Sequence, residues 1–290
     1  MKSIFFLGIL IVISIGIIAY TKCPCQCNCN SKQKAQLPNQ VNPTSNKDNI
    51  KNIYSQTAQQ GDNCNFGGRT CGCSAKISQE IGYTRKELDE LADANLGLGC
   101  GNPINLGEFE LGQTVLDLGS GAGLDCFLAA RKVGDMGKVI GVDMTPAMVN
   151  KATLNAKKYD YRNVEFRVGD IEHLPVASNS IDIIISNCVL SLASDKERAF
   201  KEAFRVLKPG GKMYVSDIVL LNALSPKQKN DTMLRGTCVL GALLKTNYLN
   251  IIGSVGFEAD ILDEDLEVNK KKFDDVTLPI SSLKYIAIKP

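Results

Sequence analysis

Cys23, Cys25, Cys27, Cys29, Cys64, Cys71, Cys73, Cys100, Cys126, Cys188 and Cys238 are the residues of this chain with the strongest chemical character. Eleven thiols are too many for an ordinary enzyme of the reducing cytosol and too dispersed for a small disulfide scaffold. Thiolates are soft ligands, suited to metals and metalloids of similar softness. Cys188 is the most pointed case, because it follows at once on the apolar run Ile181–Asn187, which reads as a buried strand. The single histidine, His173, removes histidine-based metal catalysis and Ser-His-Asp triads from consideration and reads as a polar loop residue. Lys and Arg total 33 against 31 Asp and Glu, a net charge of +2, so no nucleic-acid partner is implied.

A second constellation is acidic and glycine-rich. "DLGSGAG", Asp117 to Gly123, follows an apolar stretch directly, and Gly119, Gly121 and Gly123 let the backbone turn sharply and approach a ligand. The spacing is tighter than the G-x-G-x-x-G of pyrophosphate binders, and Asp117 suits an ammonium-bearing amino-acid moiety better. Asp143 lies 143 − 123 = 20 residues beyond the last glycine, where a carboxylate can accept both ribose hydroxyl protons, with Met144 beside it. Asp170 could accept from an adenine amino group, with Ile171 against the ring.

These residues need a frame that brings strand ends together. Thr114–Leu118, Lys138–Val142, a stretch ending at Gly169-Asp170, Ile181–Asn187, "KMYVSDIVL" and "LKYIAIK" read as strands, with helical patterns between them. Ser194-Asp195-Lys196-Glu197 reads as a capping box opening a helix that stops at Pro209-Gly210-Gly211. Ser225-Pro226 reads as a further helix start upstream of Cys238, whose small neighbours Gly236, Gly241 and Ala242 leave room for a ligand or for close helix packing. The alternation predicts a doubly wound, mostly parallel α/β sheet of Rossmann-like type, with ligands beyond the carboxyl ends of its strands.

The chain divides at 1–22, 23–50, 51–110, 111–222 and 223–290. Ile4–Tyr20 is an unbroken charge-free run of 17 positions, at the lower limit for a bilayer-spanning helix, and is expected to be an uncleaved membrane anchor. The lysines around it place the main domain on the cytoplasmic side. "CPCQCNCN" could bind soft ions, be acylated, or serve as a spacer, and 31–50 reads as a polar linker. The expected state is a monomer.

"ANLGLGCGNP", "VLDLGSGAG", "GVDMTPAM", "ISNCV" and "RVLKPGG" together resemble the microbial arsenite methyltransferases, class I enzymes that use S-adenosyl-L-methionine, from about Gly61 onward. The resemblance implies that Cys100, Cys188 and Cys238 handle arsenic, and that Cys71 or Cys73 is a redox cysteine paired with Cys100. It also implies a thiol reductant, glutathione or a thioredoxin-like protein. Cys126, inside a helix, reads as structural. Two other readings remain: a methyltransferase for a quinone- or lipid-like molecule, and a membrane-tethered module that sequesters soft metal ions.

Overall fold

The computed structural model describes residues 46–60 and 74–290. The expected anchor over 1–22, the Cys-rich repeat, and Cys64, Cys71 and Cys73 lie outside the described residues. No helix among the described residues is long and apolar enough to cross a membrane.

Three helices, α1 (Asn46–Gln60), α2 (Ser74–Glu80) and α3 (Arg85–Glu90), precede the first strand. The sheet then builds from β1 (Thr114–Leu118), α4 (Leu124–Val133), β2 (Lys138–Asp143), α5 (Pro146–Lys158), β3 (Val164–Val168), β4 (Ile181–Asn187), α6 (Lys196–Val206) and β5 (Leu207–Leu220). The short helices α7 (Pro226–Lys229) and α8 (Cys238–Gly241) lead to α9 (Lys245–Val255), β6 (Glu258–Asp265), α10 (Val268–Phe273) and β7 (Ile280–Ile288). Seven strands lie in the order β3-β2-β1-β4-β5-β7-β6; the first five are parallel, and β7 and β6 are antiparallel additions. This is the doubly wound, mostly parallel sheet that the sequence implies.

The parallel strands are apolar on both faces because both faces are covered. Leu116, Val142 and Ile184 enter one core with Phe200 and Tyr248, whereas Val115, Val139, Ile183 and Ile185 enter the other with Phe127. Asp182 interrupts the β4 run without disturbing the strand, since its carboxylate accepts from Thr114 N at 2.9 Å and from Lys208 Nζ at 2.7 Å. A third, smaller cluster joins Cys100, Cys188 and Cys238 with Ile218 and Leu220.

Three expectations need correction, and one strand was not expected. The α6 N-cap is Asp195, accepting from Arg198 N at 2.9 Å. The amides of Ser194 and Asp195 go instead to Glu172 Oε1, so the Ser194 capping box does not form. The helix also ends at Val206, before Pro209-Gly210-Gly211, and those residues lie within the fourteen-residue β5. The linker expected to reach residue 50 gives way to helix at Asn46, because Ile50 finds an apolar seat at 2% exposure. Finally, β6 has no apolar alternation to announce it: it is an edge strand, largely exposed and paired to β7 alone.

Candidate active site

The turn after β1 carries φ of +69° at Gly119, +51° at Gly121 and +98° at Gly123. A Cβ at Gly119 would come within 2.5 Å of Val189, whereas one at Gly121 would meet no protein atom within 4 Å. Packing therefore fixes Gly119, while Gly121 leaves open a space that a ligand can fill. Asp143 at the end of β2 pins this turn. Its carboxylate accepts from Gly121 N at 3.0 Å and from Thr145 N at 2.8 Å. Each oxygen keeps a further lone pair for an outside donor. Burial raises the Asp143 pKa, and those two amides oppose the rise.

Asp117, only 3% exposed, accepts from the Cys126 thiol at 3.2 Å. Burial and the neighbouring Asp125 charge push its pKa well up. Asp170 accepts from Glu172 N at 3.0 Å and is ion-paired with Lys47 of α1, which also reaches Glu172 at 3.0 Å. Asp117, Gly119, Asp143, Met144, Asp170 and Ile171 all line one cavity, and Cys188 lies in its wall. Gly123 alone among the expected donor-side residues is not on that wall; a Cβ there would meet Phe166 and Phe127 within 2.9 Å, so it serves the packing of the turn.

Cys188 is a non-glycine residue with φ of +64°, a left-handed conformation that costs free energy and turns the chain sharply at the end of β4. Its amide donates to Ser216 O at 2.7 Å. The Cys100 thiol donates to the same carbonyl at 3.4 Å. Cys100 and Cys238, 1% and 4% exposed, stand behind Cys188 rather than in the cavity wall. The neighbouring Cys100 and Cys238 side chains lower the Cys188 pKa well below that of a free thiol, and the Lys272 ammonium acts in the same direction. Burial and the Cys188 charge push Cys100 up; the bond to Cys188 and burial do the same for Cys238. Negative charge in the cluster is thus favoured at Cys188 over Cys100 and Cys238.

Two groups in the cluster were not legible in the sequence. Asp217, fully buried, has a carboxylate oxygen within 4.8 Å of the Cys100 and Cys188 sulfurs. It accepts from Ser191 N at 2.8 Å and Tyr248 OH at 2.9 Å. Burial, aided by the Cys188 charge, raises its pKa to about 7. Lys272 Nζ lies 3.8 Å from Cys188 Sγ and donates to the carbonyls of Leu98 and Gly99. The only hint of either was a polar residue interrupting "YVSDIVL" and a lysine triplet on a short helix.

The segment before β1 was also underrated. Lys47 and Tyr54 of α1 line the cavity. Burial raises the Tyr54 pKa, and Cys238, Cys188, Asp143 and Cys100 add to it. Of the two uses open to the small residues around Cys238, close packing is the one found at the glycines: a Cβ at Gly241 would fall 2.1 Å from Ser191 O, and one at Gly236 2.3 Å from Ile53. Cys126, fully buried beside Asp117, is in the helix of the donor half and apart from the thiol cluster. His173 is outside the cavity wall, its amide bonded to Asp170 O at 2.9 Å.

Residues 110–256 match the family described as a methyltransferase domain. An arsenite methyltransferase of Halobacterium salinarum is 43% identical over 228 residues, covering 75% of this chain and 58% of that protein. The human arsenite methyltransferase is 39% identical over 200 residues, covering 65% and 53%. The chain thus spans a little over half the length of these curated relatives. The crystal structure of an arsenic (III) S-adenosylmethionine methyltransferase from Chlamydomonas reinhardtii superposes with a TM-score of 0.56 at 32% identity, covering 73% of this chain and 72% of that one. With a glycine turn, three acidic strand ends and a thiol cluster at one sheet edge, the chain belongs to the arsenite methyltransferase family of methyltransferase-domain proteins.

Proposed function

We propose that the protein methylates trivalent inorganic arsenic with S-adenosyl-L-methionine, holding the acceptor on Cys188, Cys238 and Cys100. The observation that carries this reading is the packing of three sequence-distant cysteines in one buried cluster, with Cys188 in the wall of the donor cavity. The residues around that cavity fit the donor. Gly121 leaves space, Asp143 keeps lone pairs for ribose hydroxyls, and Asp117 is a carboxylate at the amino-acid end. Asp170 and Ile171 offer an acceptor and an apolar edge to the base.

S-adenosylmethionine supplies an electrophilic methyl group on a sulfonium. Arsenite exchanges one hydroxide for the Cys188 sulfur, the most readily ionised of the three, and that hydroxide leaves as water with the proton the thiol gives up. Cys100 and Cys238 follow by the same exchange, their thiol protons completing two further waters. The bound arsenic then offers its own lone pair, so no protein base is needed for the methyl transfer itself. Tyr54 and α1 cover the junction and exclude water. Methyl transfer takes arsenic to the pentavalent state. Return to the trivalent state takes two electrons: a free thiolate attacks an arsenic-bound cysteine sulfur, the S–S bond forms, the As–S bond breaks and its electron pair stays on arsenic. Cys100 with Cys71 or Cys73 is the pair we favour, and a thioredoxin-like or glutathione thiol would reopen it.

The test is incubation of the purified protein with arsenite, a thiol and methyl-labelled donor. Labelled methylarsenical is the expected product. Arsenite bound tightly without turnover would point to sequestration, and label that enters only quinone- or lipid-like acceptors would replace this reading.

A further inference from the structure

We propose that Lys272 is a positioning residue of the acceptor site, a clamp from the C-terminal segment that sets the separation of Cys100 from Cys188. This rests on the arsenite reading above. The geometry is specific. Lys272 closes α10, and its ammonium donates to two successive carbonyls, Leu98 and Gly99, immediately before Cys100 in the chain. The third direction of the same ammonium faces Cys188 Sγ at 3.8 Å. One tetrahedral cation with three donors thus joins the loop that carries one arsenic-handling cysteine to the sulfur of another.

The loop needs such a tie. Gly97, Gly99 and Gly101 alternate with Leu98 and Cys100, so the bare backbone packs against Ser74, Asn187 and Ser216 and its carbonyls need partners. On its amino-terminal side Gly97 N donates to Asn95 Oδ1 at 3.1 Å, and the other side-chain anchors act at or beyond Cys100. Asn187 Oδ1 accepts from Cys100 N at 2.9 Å, Asn187 Nδ2 donates to Gly101 O at 2.8 Å, and Ser282 Oγ donates to Cys100 O at 2.8 Å. On the amino-terminal side, the carbonyls of Leu98 and Gly99 are held by Lys272. When Cys188 Sγ bonds arsenic, the ammonium keeps those two carbonyls, so the loop stays placed for Cys100 to become the next ligand. A sulfur cluster also tolerates little mispositioning, because arsenic–sulfur bonds are short and pyramidal and a displaced third thiol cannot close the set.

The experiment compares wild type, Lys272→Met and Lys272→Arg. Methionine keeps much of the volume and removes the charge and all three donors; arginine keeps charge and donors. Arsenite binding is followed without methyl donor through the ultraviolet absorption of arsenic–sulfur bonds. Phenylarsine oxide, which takes two thiols, serves as a second ligand, and S-adenosylmethionine affinity is measured by calorimetry. Lys272→Met should weaken arsenite binding and raise its KM about 10-fold or more. Phenylarsine oxide binding, donor affinity and Tm should stay near wild type, and Lys272→Arg should recover a substantial part of the loss. The clamp is overturned if Lys272→Met binds and methylates arsenite as wild type does. It is equally overturned if donor affinity, phenylarsine oxide binding and Tm all fall together with no recovery in Lys272→Arg, which marks a general folding role. Wild type that binds no arsenite at all would instead sink the arsenite reading, and the clamp with it.

Discussion

Cys100 and Cys188 meet at a single acceptor, the carbonyl oxygen of Ser216, which takes the Cys100 thiol at 3.4 Å and the Cys188 amide at 2.7 Å. Two cysteines 88 positions apart in the chain (188 − 100) are thereby held to one backbone atom of β5. The adjoining Gly101 has no room to spare: a Cβ there would lie 2.5 Å from Ser216 Oγ. Gly101→Ala should cost about 1–3 kcal/mol of stability through overpacking. It should also displace the Cys100 loop, so that arsenite methylation falls while donor affinity holds. Methylation at the wild-type rate in the folded variant would contradict this.

Replacing a thiol by a hydroxyl separates ligation from packing. Cys188→Ser and Cys238→Ser keep nearly the same volume but offer a hard oxygen that stays protonated at neutral pH. Arsenite methylation should collapse in both, with donor binding close to wild type. Cys126→Ser should retain turnover, because a serine hydroxyl can make the same bond to Asp117. Wild-type methylation by folded Cys188→Ser would exclude the proposed acceptor site.

Asp143 both braces the glycine turn and faces the donor cavity. Asp143→Ala removes acceptors for two backbone amides and for the ribose hydroxyls. Donor affinity should drop by about 1.5–3 kcal/mol, roughly 10- to 150-fold. Calorimetry showing unchanged affinity would mean that the ribose lies elsewhere.

The cavity-lining role of α1 sets where the chain can be shortened. Removal of residues 1–45 should leave donor affinity and methylation intact, provided the Cys-rich repeat is only a spacer. Removal through residue 55 takes Lys47, Ile50 and Tyr54, and should weaken the donor complex and lower Tm. Equal donor affinities for the two truncations would show that α1 contributes nothing to the site.

Asp217 predicts a pH signature. Its pKa rises from 3.8 in the unfolded chain to about 7, so its contribution to stability is fully present below about pH 3.8 and is lost as pH rises through about 7. Asp217→Asn cannot ionise. The Tm difference between the variant and wild type should therefore shift in the variant's favour between about pH 5 and about pH 8. A difference that stays flat over that interval would show that Asp217 does not titrate there.

The strand ends and glycine turn were legible in the linear chain because their signals are local. Apolar runs mark Thr114–Leu118 and Ile181–Asn187 as strands covered on both faces, and a parallel sheet then gathers Asp117, Asp143 and Cys188 at one edge by topology alone. The family resemblance likewise followed from short contiguous motifs around Cys100 and Cys188. Contacts between distant segments decided what composition and periodicity leave open. Glu172, from a loop, took the amides of Ser194 and Asp195 and moved the helix start by one residue. The exposed β6 became a strand only through its pairing with β7. The same holds for the charge of each cysteine. Nothing in the sequence distinguishes Cys188 from Cys100 or Cys238 as the thiol whose ionisation is favoured, because that depends on two cysteines and the Lys272 ammonium converging on one buried sulfur. Ionisation in a buried cluster is a property of the neighbours that folding supplies, and here Cys100, Cys238 and Lys272 come from distant parts of the chain.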